Sequence, residues 1–98
     1  MKNLPVDHSV ETLLACVRGR VQGVGFRAAT VRRAHQSGLG GWVRNTDQGC
    51  VEVLLQGPHE AVDRMLSWLL QGPPGARVDE VSSDEVQTDR HYDRFEQV

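Results

Sequence analysis

Nine residues, GRVQGVGFR from Gly19 to Arg27, put three glycines and two arginines between a strand-like run, TLLACV, and a segment that reads as a helix. That composition suits the capture of an anion. Glycines admit left-handed backbone, so successive N–H groups can turn inward and form a concave nest. A helix that starts at the end of such a loop adds its own free N–H groups and the positive end of its dipole. Arg27, in the first helical turn, supplies a planar fork that matches two phosphoryl oxygens. The backbone of Gly19, Arg20, Val21, Gln22, Gly23 and Val24 is the expected cradle, with Arg27 closing it. From spacing alone, a glycine-rich turn with surface arginines fits the same residues equally well.

Other phosphate chemistries are excluded by inspection. A nucleotide-triphosphatase loop ends in Gly-Lys followed by Ser or Thr, whereas Gly25 is followed by Phe26 and Arg27. A cysteine phosphatase carries its thiolate inside the anion loop, and here Cys16 lies on the preceding strand. No pair of carboxylates and no Ser-His arrangement flanks the loop. His8, His35, His59 and His91 are scattered without metal-ligand spacing, so no metal site is expected. Cys16 and Cys50 lack a CxxC spacing and are expected as free thiols.

The elements that must position the loop follow from periodicity. Thr12 to Arg18 reads as an interior strand with Leu13, Ala15 and Val17 on one face. Phe26 to Ser37 lacks glycine and proline and is stopped by Gly38, which suits a helix with a thin apolar stripe of Phe26, Thr30 and Ala34. GGWVRN is a short strand, NTDQG a hairpin loop, and Val51 to Gln56 the returning strand. Gly57-Pro58 opens a second helix, with proline in its first turn and Val62, Met65, Leu66 and Leu69 at buried-face spacing. QGPPG ends that helix, RVDEV gives a fourth strand, and RFEQV a possible short fifth. The order β-α-β-β-α-β predicts an α+β sandwich with both helices on one face of an antiparallel sheet.

The chain has 98 residues, enough for one core, and one domain is expected over residues 12–98 after a polar extension at 1–11. A formal charge of -2 offers no global field for nucleic acid or an acidic membrane. No apolar run approaches the roughly 20 residues of a membrane span, and the polar start lacks the apolar stretch of a secretory signal. A cytoplasmic monomer is the expectation.

GRVQGVGFR, followed after a helix by GWVRNTDQG, then VEVLLQGP, a helix containing SWL, and ARVDEV, resembles the acylphosphatase family. Two separate signatures in the correct order carry the resemblance, over roughly residues 13 to 81. It implies a ferredoxin-like sandwich that hydrolyses carboxyl-phosphate anhydrides with neither metal, cofactor nor covalent intermediate. It also implies that Arg27 binds the phosphate and that Asn45 positions the attacking water. On turn chemistry alone Asn45 reads as a hairpin residue, and the resemblance reverses that reading. The ending RFEQV departs from the family pattern by placing Gln97 where an aliphatic residue is expected.

The implied chemistry needs few side chains. The leaving group is a carboxylate, whose conjugate acid has a pKa of about 4, so it departs at neutral pH without a general acid. What remains is to hold the phosphoryl group, spread its charge and place water in line. A nest with arginine does the first two. A neutral amide such as Asn45 can orient water but cannot take its proton, which passes to the phosphate.

Two readings from other classes compete with this one. GVGFR superficially resembles the core of an RNA-recognition motif, but the candidate central strands carry no aromatic residues. A non-catalytic phosphate-binding module would use the same cradle, and turnover of acetyl or benzoyl phosphate separates it from an enzyme. Trp42 and Trp68 are expected to pack rather than to stack on bases.

Overall fold

The computed structural model describes residues 10–98, and residues 1–9 of the expected extension lie outside them. Seven elements follow in order: β1 (Val10–Arg20), α1 (Phe26–Ser37), β2 (Gly40–Asn45), β3 (Val51–Pro58), α2 (His59–Gln71), β4 (Arg77–Glu85) and β5 (Phe95–Gln97). They build a ferredoxin-like sandwich with strand order β4-β1-β3-β2-β5.

β1 outruns the expected Thr12–Arg18 at both ends because each end has a partner. Val10 pairs with Pro58 of β3, and Arg20 pairs with Arg77 of β4. Ala15 and Val17 are fully buried on the face that receives the helices. β1 also pairs antiparallel with β3, and β3 with β2.

The expectation of an antiparallel sheet holds for these four strands and fails for the fifth: β5 runs parallel to β2, with Gly41, Trp42 and Val43 opposite Phe95, Glu96 and Gln97. The cause lies in the polar segment after β4. β4 ends opposite Leu13, at the start of β1, so the chain must cross beneath the sheet to reach its other edge. The buried Gln56 side chain holds that crossing, donating to the Arg90 carbonyl at 2.8 Å and accepting from the Tyr92 amide at 2.8 Å. A chain arriving from below can only rise alongside β2. The crossing thus delivers Phe95 to the core, where it is 3 % exposed.

Both helices cover one face. α2 buries Ala61, Val62, Met65 and Leu69, a strongly amphipathic face as its spacing predicts. Pro58 stands one position earlier than expected, as the extended residue (ψ 146°) that caps α2 rather than inside its first turn. α1 buries only Phe26, Ala29, Thr30 and Ala34, and the Thr30 hydroxyl donates back to the Phe26 carbonyl at 2.8 Å. Phe26 therefore anchors α1, and burying one such ring contributes about 1.5–3 kcal/mol. Its ring lies 5.9 Å from that of Trp68 on α2, which confirms the packing role expected of that tryptophan. Among the described residues, no helix is long and apolar enough to cross a membrane.

Candidate active site

The loop from Val21 to Gly25 leaves the top of β1 and feeds directly into α1. Gly23 and Gly25 both take left-handed backbone, at φ 76° and 77°. Gly25 is the N-cap of α1, and no side chain caps that helix. The first turn also lacks an acidic residue. The N–H groups that a Ser or Asp cap would satisfy therefore face the loop.

A cleft of about 130 Å³ opens at this point, lined by Val21, Gly23, Gly25, Phe26, Arg27, Ala28, Asn45 and Gln97. With about 30 Å³ per water, the space accommodates a phosphoryl group and a neighbouring water. Arg27 is the second residue of α1 and is half-buried. None of the ion pairs among the described residues involves it, so no protein carboxylate competes for its guanidinium.

Asn45 ends β2 opposite Val51. Its Oδ1 is buried and has no hydrogen-bond partner. A buried acceptor left unpaired costs about 1–3 kcal/mol, and the residue that carries it lines the cleft. The hairpin turn is closed by its neighbour instead. Thr46 donates its amide to the Cys50 carbonyl at 2.9 Å, and the Cys50 amide donates to the Thr46 hydroxyl at 3.3 Å. Thr46 thus performs the turn role that the sequence alone assigns to Asn45.

The expected cradle divides in two. Val21 and Gly23 line the cleft, while Gly19 and Arg20 are still part of β1 and pair with Val78 and Arg77. Gly19, at φ 136°, sits where the register slips against β4, and a Cβ there would strike the Arg77 carbonyl. Val24 packs against the core. The Gln22 side chain turns away from the cleft and donates to the Thr46 and Cys50 carbonyls at 3.0 and 2.9 Å. It ties the anion loop to the hairpin that carries Asn45, a contact across 24 residues that no local pattern reveals. The sequence marks Gln97 only as a polar residue where an aliphatic one is expected, yet parallel pairing brings it to the cleft wall.

Behind the hairpin, Cys16 and Cys50 meet with their sulfurs 3.2 Å apart. The Thr46 hydroxyl, 3.0 Å from Cys50 Sγ, holds that thiol below its ordinary range, whereas burial pushes the Cys16 thiol up.

Known proteins share this sequence and this geometry. The family profile described as Acylphosphatase matches residues 13–97. An acylphosphatase of Paraburkholderia xenovorans is 60% identical over 92 residues, covering 94% of this chain and 95% of the relative. One of Burkholderia cenocepacia is 52% identical over 97 residues, covering 99% of each. The crystal structure of an acylphosphatase from Bacillus subtilis superposes with a TM-score of 0.87 at 36% identity, covering 90% of this chain and 98% of that one.

Proposed function

The chain belongs to the acylphosphatase family and is an acylphosphatase, and we propose that it hydrolyses its acyl phosphate by in-line attack of a water held by Asn45 on a phosphoryl group held by Arg27 and the loop amides. The phosphoryl oxygens accept from the loop backbone between Val21 and Gly25 and from the start of α1. Arg27 adds a charge-assisted fork whose value grows as the P–O bond loosens and charge spreads over those oxygens. The Asn45 Oδ1 accepts a hydrogen bond from the attacking water and fixes its direction. No group on the protein needs to take that proton, since the phosphoryl oxygens receive it. The carboxylate leaves unprotonated. Neither a metal nor a covalent intermediate is required for these steps.

The observation that carries this reading is the buried, unpartnered Asn45 Oδ1 in the same cleft wall as Arg27. That oxygen repels phosphate oxygens and suits a water, which favours hydrolysis over anion binding alone. Loop, helix start and hairpin all come from one chain, which supports action as a monomer. Two free thiols fit a reducing cytoplasm.

The test is the Arg27→Ala variant, assayed with benzoyl phosphate and with inorganic phosphate as competitor. Loss of a bidentate contact worth about 3 kcal/mol should weaken phosphate inhibition and turnover together, each by about two orders of magnitude. Wild-type phosphate inhibition in a folded Arg27→Ala protein would remove Arg27 from the cradle.

A further inference from the structure

Cys16 lies at the middle of β1, and Cys50 stands just before β3, at the end of the hairpin that carries Asn45. Cys16 pairs with Glu52 and Val17 with Val51, so Cys50 falls diagonally from Cys16 rather than opposite it. The two sulfurs nevertheless touch at 3.2 Å.

We propose that Cys16 and Cys50 are a peroxide-oxidisable dithiol whose disulfide slows hydrolysis by displacing the hairpin that carries Asn45. Their unequal surroundings assign the roles. Cys50 receives the Thr46 hydroxyl at 3.0 Å and is the more acidic thiol, and Cys16 is raised chiefly by burial. The Cys50 thiolate attacks one oxygen of hydrogen peroxide, the O–O bond breaks, and hydroxide leaves as water after taking a proton. Cys16 then loses its proton and attacks the Cys50 sulfur, breaking the new S–O bond and releasing a second water. Two thiols and one peroxide become one disulfide and two waters, with two electrons passing from sulfur to oxygen. A dithiol reductant returns those electrons. Cys50 is only 7% exposed, so the site admits a small peroxide more readily than a bulky disulfide.

The coupling to catalysis follows from what else Cys50 holds. A disulfide requires the sulfurs to close to about 2.05 Å, and diagonal strand neighbours stand about 7–8 Å apart at Cα, beyond the usual span of such a bond. The backbone has to give. β1 is paired on both sides, whereas Cys50 precedes the first paired residue of β3, so the hairpin moves. Cys50 carries with it Thr46, bonded through both backbone and hydroxyl, and Gln22, which donates to the Cys50 carbonyl. Asn45 is the next residue along. Displacing a water-positioning group by about 1 Å costs up to a hundredfold in rate.

Wild-type enzyme treated with stoichiometric hydrogen peroxide should lose both free thiols and two hydrogens of intact mass as a monomer. Its kcat on benzoyl phosphate should fall about tenfold, with phosphate inhibition moving far less, and dithiothreitol should restore it. Cys16→Ser should keep the reduced rate and, under peroxide, gain an oxygen instead of losing two hydrogens. Survival of both thiols, or cross-linking only between chains, would overturn the dithiol. A disulfide that leaves kcat unchanged, or that weakens phosphate inhibition as much as kcat, would overturn the coupling. That coupling rests on the role proposed for Asn45, whereas thiol count and mass do not, so the two failures are told apart.

Discussion

Replacing Asn45 with alanine should separate catalysis from folding, with the two responses differing in size. The Asn45 Oδ1 is buried without a partner, and that desolvation costs the fold about 1–3 kcal/mol. Alanine removes the cost. It also removes a few packing contacts, but the position borders an open cleft that water refills, so no sealed cavity forms. The hairpin keeps its closure, because that closure belongs to Thr46 and Cys50. The unfolding free energy in urea should thus stay within about 1 kcal/mol of wild type, with a gain in stability as acceptable as a loss. Turnover has no such compensation. Without the acceptor, the water loses its direction, and kcat should fall by about a hundredfold, equivalent to about 2.7 kcal/mol of transition-state stabilisation. Benzoyl phosphate hydrolysis, followed by loss of ultraviolet absorbance, gives kcat, and inorganic phosphate as a competitor reports the cradle independently. Phosphate inhibition should move by less than about threefold. A variant that loses more than about 2 kcal/mol of stability while its kcat is unchanged would show that Asn45 is a turn residue after all. A variant that loses phosphate binding as fully as Arg27→Ala would show that the hairpin is part of the cradle, and the division of labour would fail.

Gly41→Ala should cost at least about 2 kcal/mol in urea unfolding, because φ is 135° and a Cβ there would run into the Leu54 carbonyl. Gly75→Ala, at φ 91° with open space around it, should cost only about 1 kcal/mol, and equal losses at both sites would refute the steric argument. His59 accepts its proton more readily in the folded chain, first through its hydrogen bond with Glu11 and then through Asp63. Its contribution to stability is full below the ordinary value of 6.5 and is lost as pH rises through the higher folded pKa. Urea midpoints from roughly pH 6 to 8 should fall slightly in wild type and flatten in Glu11→Gln, and an unchanged slope in that variant would rule out the pair.

Local pattern carried much of the fold. α1 was legible to the residue because glycine bounds it on both sides, and the buried face of α2 because four apolar positions repeat at helical spacing. The direction of β5 was not, since it depends on a crossing held by Gln56, and a lone glutamine inside an apolar strand gives no sign of what it binds 34 residues away. At the site, the loop and Arg27 could be read from chemistry because glycine and arginine each have a distinct physical use there. Asn45 could not be read that way, since an asparagine before a hairpin has an ordinary role, and only the resemblance of GWVRNTDQG to a family signature singled it out. Gln22, Gln97 and the meeting of Cys16 with Cys50 are products of strand register, which single-strand alternation does not fix.

The uncapped start of α1, if the proposed cradle holds phosphate, would make the fold answerable to its own product. A Ser or Asp cap takes extended backbone, whereas Gly25 stands at φ 77°, so no side chain fills the place where the phosphoryl group is proposed to sit. With glycine there, an anion in the proposed cradle would itself become the cap. Product inhibition and protection against unfolding are then one equilibrium viewed from two sides: above its dissociation constant, each tenfold rise in free phosphate adds about 1.4 kcal/mol to the stability of the chain while withdrawing the site from catalysis. On that proposal, an idle enzyme in a phosphate-rich solution would also be its most durable form.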